Sequence, residues 1–145
     1  MSKPKPTKLE DIQIWKNACE LGEFMYSVLE NFPEEEKWAT VSKLRNSAND
    51  LIFYVGQAVG DGSISASRND WNNARRHASG MKTMYRFAGR QKFVTLDPEI
   101  MVKIDRLIEE IDENLEIAKD QFDLEAKADL KPWLEKYRIW KEMNT

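Results

Sequence analysis

The sequence predicts an all-α protein, an up-down-up-down four-helix bundle with a short C-terminal helical extension. Three observations carry this reading. Apolar residues recur three and four apart through four segments of about 25 residues, the period of a helix with one buried face. Glycine and proline are sparse, 6 and 5 in 145 residues, and the prolines fall between those segments. No segment alternates apolar and polar residues as a half-buried strand would. Short connections between long helices make sequence neighbours antiparallel.

The first segment runs from Leu9 to Phe32, with Leu9, Ile12, Trp15, Cys19, Phe24, Met25 and Val28 as its apolar face. Trp15, between Ile12 and Cys19, is expected in the packing. The second starts at Glu34-Glu-Glu-Lys-Trp38, where three carboxylates suit the positive end of a helix dipole. Trp38, Val41, Ala48, Ile52, Val55 and Val59 form its face, and Gly60-Asp-Gly62 ends it by turn chemistry. Ser67-Arg-Asn-Asp70 resembles a capping box opening the third segment. Trp71, Ala74, Ala78, Met81, Tyr85 and Ala88 follow on one face. Asp97-Pro98 is a strong start for the fourth, with Asp97 as N-cap and Pro98 at the first helical position. Its face is Ile100, Ile104, Leu107, Ile111, Leu115, Ala118 and Phe122. Each interior proline, Pro33, Pro98 and Pro132, suits a first helical turn. Lys131 to Met143 therefore reads as a short fifth helix or a loosely docked extension. The implied organisation is a flexible basic arm over 1–8, a bundle over 9–123 and a helical extension over 124–145.

Composition excludes several classes of function. One cysteine, Cys19, and one histidine, His77, leave no disulfide framework and no cysteine- or histidine-rich metal site. The carboxylate-bridged di-iron site of helical bundles needs Glu-x-x-His on two helices; Ala74 stands three residues before His77. Gly56, Gly60 and Gly62 lack the Lys-Ser/Thr of a phosphate loop. Cys19 lies on an apolar face and reads as a core residue, and Glu109 and Glu110 lie in a solvated charge run. No catalytic residue, no metal and no cofactor are expected. The longest apolar run, Leu51 to Val55, is far below the roughly 18 residues of a membrane span, so no membrane partner is expected. The charged start, Met1 to Lys8, has no apolar stretch behind it and is not expected to be a signal peptide. A cytoplasmic setting follows.

Charge is segregated by segment. The third carries Arg68, Arg75, Arg76, Lys82, Arg86, Arg90 and Lys92 against Asp70, a net +6; the fourth, Asp97 to Asp123, carries ten acids against three bases, a net −7. In one reading these helices pair with each other, within the bundle or across a subunit boundary. In the other, the seven cations follow a nucleic-acid backbone, with Lys3, Lys5 and Lys8 as auxiliary contacts. The whole chain is acidic, net −3 with pI ≈ 5.3, which favours the pairing reading. Trp133, Tyr137 and Trp140 form an aromatic stripe at i, i+4 and i+7, ringed by Lys131, Lys136, Arg138 and Lys141. The stripe either folds onto a bundle or docks a partner protein, because Trp, Tyr and Arg dominate interface anchors.

The first fifty residues carry a resemblance. Leu9-Glu-Asp-Ile-Gln-Ile-Trp15-Lys-Asn-Ala18, Leu21, Tyr26, Phe32-Pro33, Glu36, Lys43-Leu-Arg45 and Ala48 resemble a bacterial four-helix bundle family. It comprises the 23S rRNA intervening-sequence proteins and the accessory variability determinants of diversity-generating retroelements. The resemblance implies a four-helix protomer, assembly into a homopentamer and no catalytic residues. In the retroelement branch it also implies binding of RNA or DNA and of a reverse transcriptase. Residues and resemblance together lead to the expectation of a non-enzymatic oligomer that binds nucleic acid through its third helix. The alternative is a protein-only assembly scaffold in which basic and acidic helices pair.

Overall fold

The computed structural model describes residues 8–60 and 64–144. Among the described residues four α-helices make up the fold: α1 (Gln13–Leu29), α2 (Thr40–Gly60), α3 (Ile64–Arg90) and α4 (Pro98–Met143). Single 3-10 turns at Leu9–Asp11 and Glu34–Glu36 lead into α1 and α2, and the described residues contain no strand. The basic arm expected at Lys3 and Lys5, and the Asp61-Gly62 turn, lie outside the described residues.

Contacts between neighbouring helices run in opposite sequence order, so each helix is antiparallel to the next. Tyr26 Oη donates to Asn49 Oδ1 at 2.7 Å, and Gly22 lies so close to Ile52 that a Cβ there would stand 2.6 Å from Ile52 Cδ1. Further along the same pair, Trp15 packs over Gly56. On the next seam the His77 ring stacks on Tyr54, centroids 5.5 Å apart. Ser67 Oγ donates to the Ala58 carbonyl at 3.0 Å.

The core is a set of 3/4-spaced faces brought together: Ala18, Leu21 and Met25 of α1; Leu44, Ala48, Leu51 and Val55 of α2; Ala74, Ala78, Met81 and Tyr85 of α3; Ile104, Leu107 and Ile111 of α4. The faces expected of α3 and of α4 through Ala118 are buried as read, apart from half-buried Leu115; Phe122 lies outside the described side chains.

The faces of α1 and α2 match the expected ones in part: Met25, Val41, Ala48 and Val55 are buried as expected, and the remainder is rotated. Trp15, Cys19, Phe24 and Val28 are half-buried, and the α1 axis of burial runs through Ala18, Leu21, Gly22, Met25 and Leu29. Small residues at Ala18 and Gly22 let the backbone approach its neighbours, so bulky residues flank the contact. In α2, Leu44 and Leu51 are buried while Ile52 and Val59 stand at the edge. Trp38 is 87 % exposed, because the acidic run forms a 3-10 turn and α2 begins only at Thr40. Thr40 is buried and donates from Oγ1 to Glu36 Oε2 at 2.8 Å, tying the turn to the helix start.

Two start signals met different outcomes. Asp97 caps α4 as expected, its Oδ1 accepting from Glu99 N at 2.9 Å with Pro98 in the first turn. Ser67 caps nothing: α3 already begins at Ile64, and the hydroxyl serves an end carbonyl of α2 instead. The α3–α4 connection closes with Lys92 at φ 63°, in the left-handed region usually given to glycine. Phe93 N–H donates to the Ala88 carbonyl and Lys92 N–H to that of Gly89, the two bonds of a Schellman ending. Leu96 folds back over Gly89, where a Cβ would lie 2.5 Å from its Cγ.

Pro132 starts no fifth helix. α4 runs through it as one helix of 46 residues, about 69 Å at 1.5 Å per residue. Proline removes one N–H and crowds the carbonyl four residues back. No glycine or turn-forming cluster stands beside it to make that a stop.

Candidate interaction surfaces

The charge segregation resolves into an electrostatic seam. On α3, Arg75 and Lys82 lie seven residues apart on the flank facing α4. On α4, Asp105 and Asp112 lie seven apart on the flank facing α3. Antiparallel packing matches them: Arg75 Nε is 2.6 Å from Asp112 Oδ1, and Lys82 Nζ is 2.5 Å from Asp105 Oδ1. Both pairs are partly exposed, so each adds little to stability but fixes which residue faces which. Basic helix and acidic helix therefore meet within one protomer at these positions.

The other expected nucleic-acid residues separate from this seam. Arg68 is half-buried and engaged by a neighbouring group. Arg76, Arg86 and Arg90 are exposed on the outer side of α3, and Lys92 is exposed in the turn that ends it. These last four make no ion pair among the described residues. Sequence spacing grouped Arg75 and Lys82 with them; the difference is the proximity of α4, which only packing reveals.

A second polar seam joins α1 to α4. Lys103 Nζ is 2.7 Å from Glu20 Oε1, and Asn17 Nδ2 donates to both carboxylate oxygens of Glu110 at 3.2–3.3 Å. Lys103 Nζ donates a hydrogen bond to Glu20, which raises the Lys103 ammonium above its ordinary range. These side chains, with Arg106, line a shallow groove. Burial first, then Glu23, pushes the Cys19 thiol up, which keeps it protonated and poorly nucleophilic. No cluster of three potential metal ligands occurs among the described residues. No helix of the described residues is long and apolar enough to cross a membrane.

The most unusual surface is the distal half of α4. Ala118 is the last buried residue among its described side chains. Beyond it, 119–143 project about 37 Å as a single helix. Trp133, Tyr137 and Trp140 are 61 %, 47 % and 59 % exposed. Their rings form a ladder, Trp133 to Tyr137 at 5.8 Å and Tyr137 to Trp140 at 6.2 Å, nearly parallel in the first step. Leu130, Leu134 and Ile139 are about half exposed around them. Among the described residues the stripe docks on no part of its own bundle. Lys136 and Arg138 flank it, Arg138 held by Glu135 at 2.6 Å.

No family model matches the chain, and no curated protein matches it.

Proposed function

We propose that the protein is a non-catalytic helical scaffold that works by protein–protein assembly, with the bundle as anchor and the distal arm of α4 as docking element. One observation carries the reading: the 119–143 arm exposes two tryptophans, a tyrosine and several leucines on a helix that leaves its own core behind. Monomeric proteins rarely leave so long an apolar stripe in water, and such stripes mark interaction sites. Tryptophan, tyrosine and arginine are the residues that most often anchor interfaces. The electrostatic seam supports the same reading, because it uses Arg75 and Lys82 for internal register. A photoreactive residue in place of Tyr137 or Trp140 tests it in cells. Protein adducts are expected there and not from an exposed bundle site such as Glu109; absence of arm adducts overturns the proposal.

A second reading keeps nucleic acid as a partner. It is favoured by Arg76, Arg86, Arg90 and Lys92, four exposed cations outside the ion pairs. Phosphate contacts from such residues carry affinity without sequence preference and weaken steeply with salt. The Arg76→Glu/Arg86→Glu/Arg90→Glu variant leaves both seam pairs intact. Salt-dependent RNA or DNA binding lost in that variant, with the bundle's melt unchanged, would establish this reading beside the first.

A further inference from the structure

We propose that the partner of the arm is the arm of a second copy of this chain, paired antiparallel along 120–143. This rests on reading the arm as the docking element and names what it docks.

The apolar stripe has the form of a helix–helix seam. Ala126, Leu130, Trp133, Tyr137 and Trp140 follow one another at intervals of 4, 3, 4 and 3 residues, the a/d spacing of paired helices. Ala126 is half-buried and the other four are exposed. A second helix carrying the same stripe is complementary in shape when small faces large. An antiparallel register with its two-fold axis between Leu130 and Trp133 achieves this. It sets Leu130 against Trp133 of the second copy, and Ala126 against Tyr137 of the second copy.

Charge chooses the direction. The first part of the arm, 119–129, carries four acids and two bases, and the last part, 131–143, carries four bases and two acids. Parallel arms would lay acid on acid and base on base. Antiparallel arms lay each basic end on the other's acidic beginning, so Lys136 and Arg138 come alongside the partner's net negative half. The six rings of two arms, with their leucine neighbours, offer on the order of 1,000 Å² of apolar surface, the scale a specific interface requires. Both bundles stay clear, one at each end, because the overlapped segment begins just past Ala118, the last buried residue among the described side chains of α4.

Light scattering and a distance measurement on the full chain test the proposal. The expected mass is twice the 17.0 kDa protomer at micromolar concentration. Trp133→Glu/Trp140→Glu should return it to one copy with the bundle's thermal melt unchanged, since both residues lie outside the core. A spin label at Lys119→Cys, in a Cys19→Ser background, should report label separations near 37 Å in the antiparallel register and about 10 Å in a parallel one. A single-copy mass for wild type, a mass insensitive to the tryptophan substitutions, or labels about 10 Å apart would each overturn it. If wild type is a single copy while Tyr137 and Trp140 positions cross-link to a different protein, self-pairing fails and the docking role of the arm stands. Loss of arm adducts altogether removes both.

Discussion

The two halves of α4 have the same backbone and opposite surroundings. In the first half Ile100, Ile104, Leu107 and Ile111 are at most 2 % exposed, held between α1 and α3. In the second half Leu130, Trp133, Tyr137 and Trp140 are larger on average and lie in water. Helix formation and burial are therefore separate events in this chain. The first half supplies the costly helical nucleus through tertiary packing, and the second extends it one hydrogen bond per residue. Past Pro132 the remaining eleven residues are shorter than the roughly 12–15 that an isolated helix needs in water. That stretch holds its helix by continuity with the first half of α4.

The sharpest test sets a small core residue against a large arm residue. Ile104→Ala should lower the stability of the bundle by about 3–4 kcal/mol in urea unfolding, because it leaves a cavity among packed helices. Trp140→Ala removes more atoms, yet the bundle transition should move by less than about 0.5 kcal/mol. Equal losses would mean the arm is part of the cooperative unit. Next in size, Pro132→Ala restores a missing N–H within the arm. It should stabilise the distal helix locally by up to about 3 kcal/mol, read as slower amide exchange over 128–143 with bundle protection unchanged. If exchange there does not slow, continuity with the bundle is not what limits the arm.

Two smaller effects probe how α4 is positioned at its start. Asp97→Ala loses the cap on Glu99 N and should cost about 1 kcal/mol in thermal unfolding. The neighbouring Tyr85, only 1 % exposed, accepts the Asp97 N–H at 2.9 Å and should keep the loop in place. Smallest of all, a double-mutant cycle on Arg75 and Asp112 should give a coupling of about 0.5 kcal/mol that shrinks in salt, as partly exposed pairs do. A coupling near zero at low salt would remove the seam as a register device.

The sequence alone makes legible the all-α class, the four helices in order, the buried faces of α3 and α4 and the Asp97-Pro98 start of α4. Each depends on local periodicity or on a side chain capping its own backbone, and both are written along the chain. It also held the charge segregation, though not its use. Tertiary structure alone decided that Arg75 and Lys82 belong to a seam while Arg76, Arg86 and Arg90 do not, because this depends on which flank α4 occupies. Packing likewise chose Ala18 and Gly22 over Trp15 and Cys19 for the centre of α1, since close approach of backbones rewards small residues that a hydrophobicity pattern ranks low. And only the structure decided that α4 continues through Pro132, because a proline with helix formers on both sides costs one hydrogen bond, which water can replace on an exposed arm.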